Sequence, residues 1–162
     1  MTSVAVLGDS RSGKTAFMHR AVYGRVPLNI FTSTSVETFY WVGALHSSAD
    51  FHVVPGACSN NQLVHALCGV DAILVLYKEN VQTAQNWLWR ATRSMLGVHN
   101  LPVIVVCTGT SSPKLADSLL RAYPCAEHAV VTTMAGAQDC VNRIVMRARR
   151  DPPSPLELRF TV

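Results

Sequence analysis

The stretch Gly8-Asp9-Ser10-Arg11-Ser12-Gly13-Lys14-Thr15 decides how this chain is read. It follows the apolar run Val4-Ala5-Val6-Leu7 and precedes a helix-like segment from Ala16 to Tyr23. The spacing G-x-x-x-x-G-K-[ST], set between a strand and a helix, is that of a loop able to hold phosphate. The glycines let the backbone wrap so that successive N–H groups face phosphate oxygens. The following helix adds its positive N-terminal end. Lys14 would then hold the outer phosphates as a point charge, and the Thr15 hydroxyl would ligate Mg²⁺.

Outward from that loop, strands and helices alternate. Glu37-Thr38-Phe39-Tyr40-Trp41-Val42 reads as a strand and Ser47 to Asp50 as a turn. Phe51 to Val54 reads as a second strand, closing an antiparallel hairpin. A short helix is expected from Ser59 to Gly69, with Leu63, Val64 and Leu67 inward. Ala72-Ile73-Leu74-Val75-Leu76-Tyr77 is a continuous apolar run, as in a strand buried on both faces of a parallel sheet. Val81, Ala84, Leu88, Ala91 and Met95 recur at helical spacing. Pro102 to Cys107 reads as a strand, Ser112 to about Tyr123 as a helix, Ala129 to Thr132 as a strand, and Ala137 to about Arg149 as the last helix. The reading is α/β, with a largely parallel sheet and ligands at the carboxyl ends of its strands. It gives one domain over 1–150 and a Pro-containing tail over 151–162.

With 49% hydrophobic and 15% charged residues, much of the chain is interior. A net charge of +4 without an aromatic–basic motif argues against nucleic acid. The five cysteines form no C-x-x-C and the six histidines no ligand cluster, so reduced thiols and a cytoplasmic setting are expected, without a structural metal. Neither a signal peptide nor a lipidation motif is seen, so any membrane attachment is expected to go through a partner.

The order of elements, over about residues 3 to 149, resembles the Ras superfamily of small GTPases, in its Rab-like branch. Gly8-Asp9-Ser10 with Gly13-Lys14-Thr15 is similar to the Rab phosphate loop. Gly69 to Tyr77, followed by a helix carrying Trp87-Leu88, is similar to the fourth strand and its helix. Pro102 to Val106 matches the strand before the guanine-reading motif, and Thr132-Thr133-Met134-Ala135-Gly136 falls at the last nucleotide loop. The resemblance implies a three-layer fold with about six strands. It also implies GTP or GDP with Mg²⁺, phosphate contacts from Gly8 to Thr15 and Gly56, and base contacts from Thr108, Gly109, Thr110, Ser111, Met134, Ala135 and Gly136. Thr34, with Thr32 and Ser33 as alternatives, would sense the γ-phosphate through Mg²⁺.

The chain departs from that pattern at four places. The Asp-x-x-Gly whose carboxylate holds Mg²⁺ through water aligns with Val53-Val54-Pro55-Gly56. The Gln that orients the attacking water aligns with Ala57. Asn-Lys-x-Asp aligns with Thr108-Gly109-Thr110-Ser111, without the base-reading carboxylate. Losing that charge-assisted bond costs about 1.5–3 kcal/mol, or roughly one to two decades of affinity. Micromolar binding would survive, discrimination of GTP from ATP would suffer, and hydrolysis would fall to background. Arg11, where a Rab has Gly, is either a solvated loop-tip arginine or an internal arginine finger.

Partner features accompany these losses. Tyr40 cannot share a face with Phe39 and Trp41, so at least one ring of that strand reaches the surface, and Trp41 is taken as a partner contact. Trp89 lies roughly 140° from the apolar stripe of its helix, to cover a neighbouring groove or meet another protein. Trp87 lies nearer the stripe and reads as core. Arg143, Arg147 and Arg150 share a polar face, either solvated or facing an acidic partner or RNA. Three functions remain: a nucleotide-holding interaction module, by analogy in trafficking or ciliary assemblies; a GTP-hydrolysing switch; and a P-loop ATPase or kinase. The last is weakened because no carboxylate ends the strand Ala72 to Tyr77 before Glu79.

Overall fold

The computed structural model describes residues 1–30, 34–43, 47–109, 117–124 and 126–150. The elements run β1 (Thr2–Gly8), α1 (Lys14–Tyr23), β2 (Glu37–Val42), β3 (Ser48–Val53), α2 (Asn60–Leu67), β4 (Ala72–Tyr77), α3 (Val81–Ser94), β5 (Val103–Cys107), α4 (Asp117–Ala122), β6 (Ala126–Val130) and α5 (Met134–Arg150). The strands form one six-stranded sheet in the order β2-β3-β1-β4-β5-β6. Every pairing is parallel except that of β2 with β3. Among the described residues no helix is long and apolar enough to cross a membrane.

Side-chain alternation along the strands sorts the core into two layers. Val4 and Val6 of β1 face α1 and α5, packing with Phe17, Met18, Val141 and Ile144. Ala5 and Leu7 face α2 and α3, packing with Leu63, Leu67, Ala84 and Leu88. Between these layers β4 is buried at every position, which is why its sequence is apolar without alternation. The helices thus flank the sheet on both faces.

Several boundaries shift from the sequence reading. Ser48-Ala49-Asp50 is strand, not turn: Ala49 is fully buried and lies opposite Thr2 of β1. Small residues there fit the strand's close packing and mimic a turn by composition. Val64 faces outward, and Ala66 joins Leu63 and Leu67 inside. β6 begins three residues earlier than expected, at Ala126, because an edge strand tolerates Glu127 and His128. α5 begins at Met134, where Thr133 Oγ1 accepts the Gly136 N–H at 3.0 Å and caps the first turn. The expected start of the helix at Ser112 and the tail over 151–162 lie outside the described residues.

α2 has a reciprocal cap. Ser59 Oγ accepts the Gln62 N–H at 3.2 Å, and Gln62 Oε1 accepts the Ser59 N–H at 2.9 Å. The same Gln62 amide donates from Nε2 to the Thr34 carbonyl at 3.2 Å, tying α2 to the segment before β2.

Candidate functional site

The loop from Gly8 to Gly13 lies where β1, β3, β4 and β5 deliver their carboxyl ends. Ser12 N–H donates to the Asp9 carbonyl at 3.0 Å, closing a tight turn. Gly13 has φ 85°, a left-handed conformation that a side chain would strain, and it caps α1 without a side-chain acceptor. Among the described residues, the first N–H groups of α1 therefore have neither an intrahelical carbonyl nor a capping side chain. Ser12 Oγ is buried with no hydrogen-bond partner among the described residues, packed into the space that Gly8 leaves by having no Cβ.

Lys14 is the centre of the loop. It is only 6% exposed, and its Nζ donates to the Gly8 carbonyl at 2.6 Å and the Asp9 carbonyl at 2.7 Å. An ammonium has three donors, so one remains for another acceptor. Burial lowers its pKa to about 8, against the opposing pull of the Asp9 carboxylate. Beside it opens a cavity of about 190 Å³ lined by Ser10, Arg11, Lys14, Thr15, Glu37 and Gly56, among others. A Cβ on Gly56 would run into the Ser10 backbone nitrogen, so only glycine lets the loop after β3 close against the loop after β1. Buried cation, uncapped helix start and small cavity together suit a compact oxyanion.

Asp9 is held from the far side of the loop. Trp87 Nε1 donates to Asp9 Oδ1 at 2.8 Å, across 78 residues of sequence. The Arg90 guanidinium lies 5.1 Å from the Trp87 ring centroid and donates to the Cys58 carbonyl at 2.8 Å and to Asn60 Oδ1. The segment after β3 is thereby fastened to α3 and, through Trp87, to the loop of Lys14. Helical spacing places Trp87 in the core correctly, but no sequence signal connects its indole with Asp9.

The other expected site residues divide. Thr15 lines the cavity; Thr34 is exposed and outside its lining. Thr32, Ser33, Thr110 and Ser111 lie outside the described residues. Val53 is buried at the cavity and Ala57 is exposed, so neither brings a polar side chain to it. Arg11 is exposed at the rim of this cavity and of a second one of about 410 Å³, which opens between the loop and the start of α3. Thr108 Oγ1 donates to the Ser12 carbonyl at 2.7 Å, and its side chain packs over Gly13. Gly109 lies against the Lys78 carbonyl. Met134, Ala135 and Gly136 form the first turn of α5, not a loop, with Met134 45% exposed and its sulfur over Gly24.

Trp41 corrects the expected partner surface. It points inward with Phe39 at 7% exposure, whereas Tyr40 between them is 53% exposed. Even positions of β2 face away from α1, so the exposed ring is Tyr40. Trp89 is 37% exposed and tilts against Tyr123, with ring centroids 6.2 Å apart, so it covers the groove beside the end of α4. Arg143 and Arg147 reach Glu127 of β6 at 3.7 and 3.5 Å, and Arg143 also pairs with Asp139 at 3.0 Å. No model of a known protein family matches this chain, and no curated protein matches it.

Proposed function

We propose that this chain is a divergent Rab- or Ras-like protein of the P-loop small-GTPase fold. In this reading it binds a purine nucleotide, GTP favoured, through Gly8 to Thr15, with weak or absent hydrolysis, and works mainly as a protein-interaction module in a larger assembly. The observation that carries the reading is the buried Lys14 ammonium, held by two carbonyls of its own loop beside a cavity of about 190 Å³. The order of strands and helices along the chain supports the resemblance.

The residues present fit Mg²⁺ and phosphate by the chemistry of their donors. The Thr15 hydroxyl is a hard oxygen at the cavity wall, and the α1 amides and Lys14 are anion donors. Bound Mg²⁺ would neutralise part of the phosphate charge. Lys14 would hold the outer phosphates, Gly56 would keep the facing loop close, and Thr108 would brace the loop through Ser12. Weak hydrolysis follows from Ala57, which cannot orient a water, and from Val53, which cannot accept a hydrogen bond from one. The fastening of Cys58 and Asn60 by Arg90 favours a static module over a cycling switch.

The test is to denature the purified protein and identify released nucleotide by chromatography, beside titration with fluorescent GTP and ATP analogues at millimolar Mg²⁺. GTP in the supernatant, or saturable binding of the analogue, is expected. No release and no binding would refute the reading.

A further inference from the structure

Among the described residues, the wall of the Lys14 cavity opposite the loop carries one carboxylate, Glu37. It is the acidic member of the lining, which otherwise presents Lys14, Arg11, hydroxyls, glycines and apolar groups. Glu37 opens β2 and pairs directly with Val53, the last residue of β3. Directly paired residues of an antiparallel ladder point to the same face. Phe39 and Trp41 show that this face of β2 is the inward one, towards α1. The carboxylate therefore shares the cavity with Thr15 at the point where β3 supplies only the apolar Val53.

A carboxylate facing an anion cradle has a definite electrostatic consequence. It repels a polyphosphate across the cavity, and a divalent cation between them turns that repulsion into attraction on both sides. We infer that Glu37 is a cation-positioning residue of this site: with the Thr15 hydroxyl it would hold Mg²⁺, directly or through water, against nucleotide phosphates. The inference rests on the proposed nucleotide reading and adds to it a residue from β2 that makes binding depend on the metal.

The test is the affinity of the full chain for a fluorescent GTP analogue, in excess EDTA and in millimolar Mg²⁺, for the wild type and for Glu37→Gln. Gln keeps the size and removes the charge. Wild type should gain about tenfold or more in affinity from Mg²⁺. Glu37→Gln should bind more tightly than wild type in EDTA and gain less than about threefold from Mg²⁺. Asp50→Asn, the same charge change on the opposite face of the hairpin, should behave as wild type. If Glu37→Gln matches wild type in both buffers, or weakens binding equally in both, Glu37 has no cation role and the inference fails while the nucleotide reading stands. If the wild type binds no analogue in either buffer, both fail.

Discussion

The loop of Lys14 and the segments beyond β5 face the same end of the sheet, but they are built differently. Around Lys14 each position is constrained: Gly13 by its backbone, Gly56 by contact with Ser10, and Lys14 by two carbonyls. Beyond β5 the hydroxyl of Thr108 serves the loop, and Met134 to Gly136 are the opening turn of a capped helix. Under the proposed reading, the difference teaches that an anion cradle of backbone amides and one buried lysine can persist while the groups that would read a base drift. Backbone N–H groups remain when side chains change; a base-reading carboxylate does not.

The comparison breaks most easily at Lys14. Lys14→Ala should weaken binding of the GTP analogue by about a hundredfold; unchanged affinity in titration would place any nucleotide elsewhere. Proton linkage gives Lys14 a second signature. Its folded pKa of about 8 lies below its ordinary 10.5, so the unfolded chain binds more protons between these values. The Lys14 contribution to stability thus rises as pH climbs from about 8 to 10.5, while affinity for an anion falls as the ammonium is lost. The stability of wild type relative to Lys14→Met, by urea denaturation across that range, should rise by as much as about 3 kcal/mol.

Gly56→Ala comes next. The added methyl meets the Ser10 backbone, and overpacking of this kind costs about 1–3 kcal/mol, readable as a lower thermal midpoint together with weaker analogue binding. Thr108→Val sharpens the comparison more than its size implies. It removes the bond to Ser12 and should cost about 1 kcal/mol, weakening GTP and ATP analogues alike. A change in the ratio of the two affinities would make Thr108 a reader of the base instead of a brace. Tyr40→Ala should have the smallest effect on the isolated protein, within about 0.5 kcal/mol in denaturant melts, because its ring is mostly in solvent.

Much of the fold was legible because burial on two faces leaves a continuous apolar run, as at Ala72 to Tyr77, and because aromatic β-branched stretches such as Glu37 to Val42 have few other uses. Ser48 to Asp50 reads as a turn, and Ala126 to His128 falls outside the expected strand, because small or polar residues give no strand pattern until their partners across the sheet are known. At the site, local spacing revealed Gly8 to Thr15. It did not reveal that Glu37 faces the same cavity, that Gln62 reaches Thr34, or that Trp41 points inward, since each depends on register or on contacts distant in sequence.

The bond from Trp87 to Asp9 has a practical consequence. Asp9 offers its carbonyl to Lys14 and its carboxylate to the indole, so one residue links the cation to a chromophore. Indole emission is sensitive to charge and hydrogen bonding at Nε1, and Trp41 and Trp89 lie away from the loop. The protein thus carries its own optical gauge: a change at Lys14 should shift the fluorescence of Trp87, and Trp87→Phe should silence that signal without any label being attached.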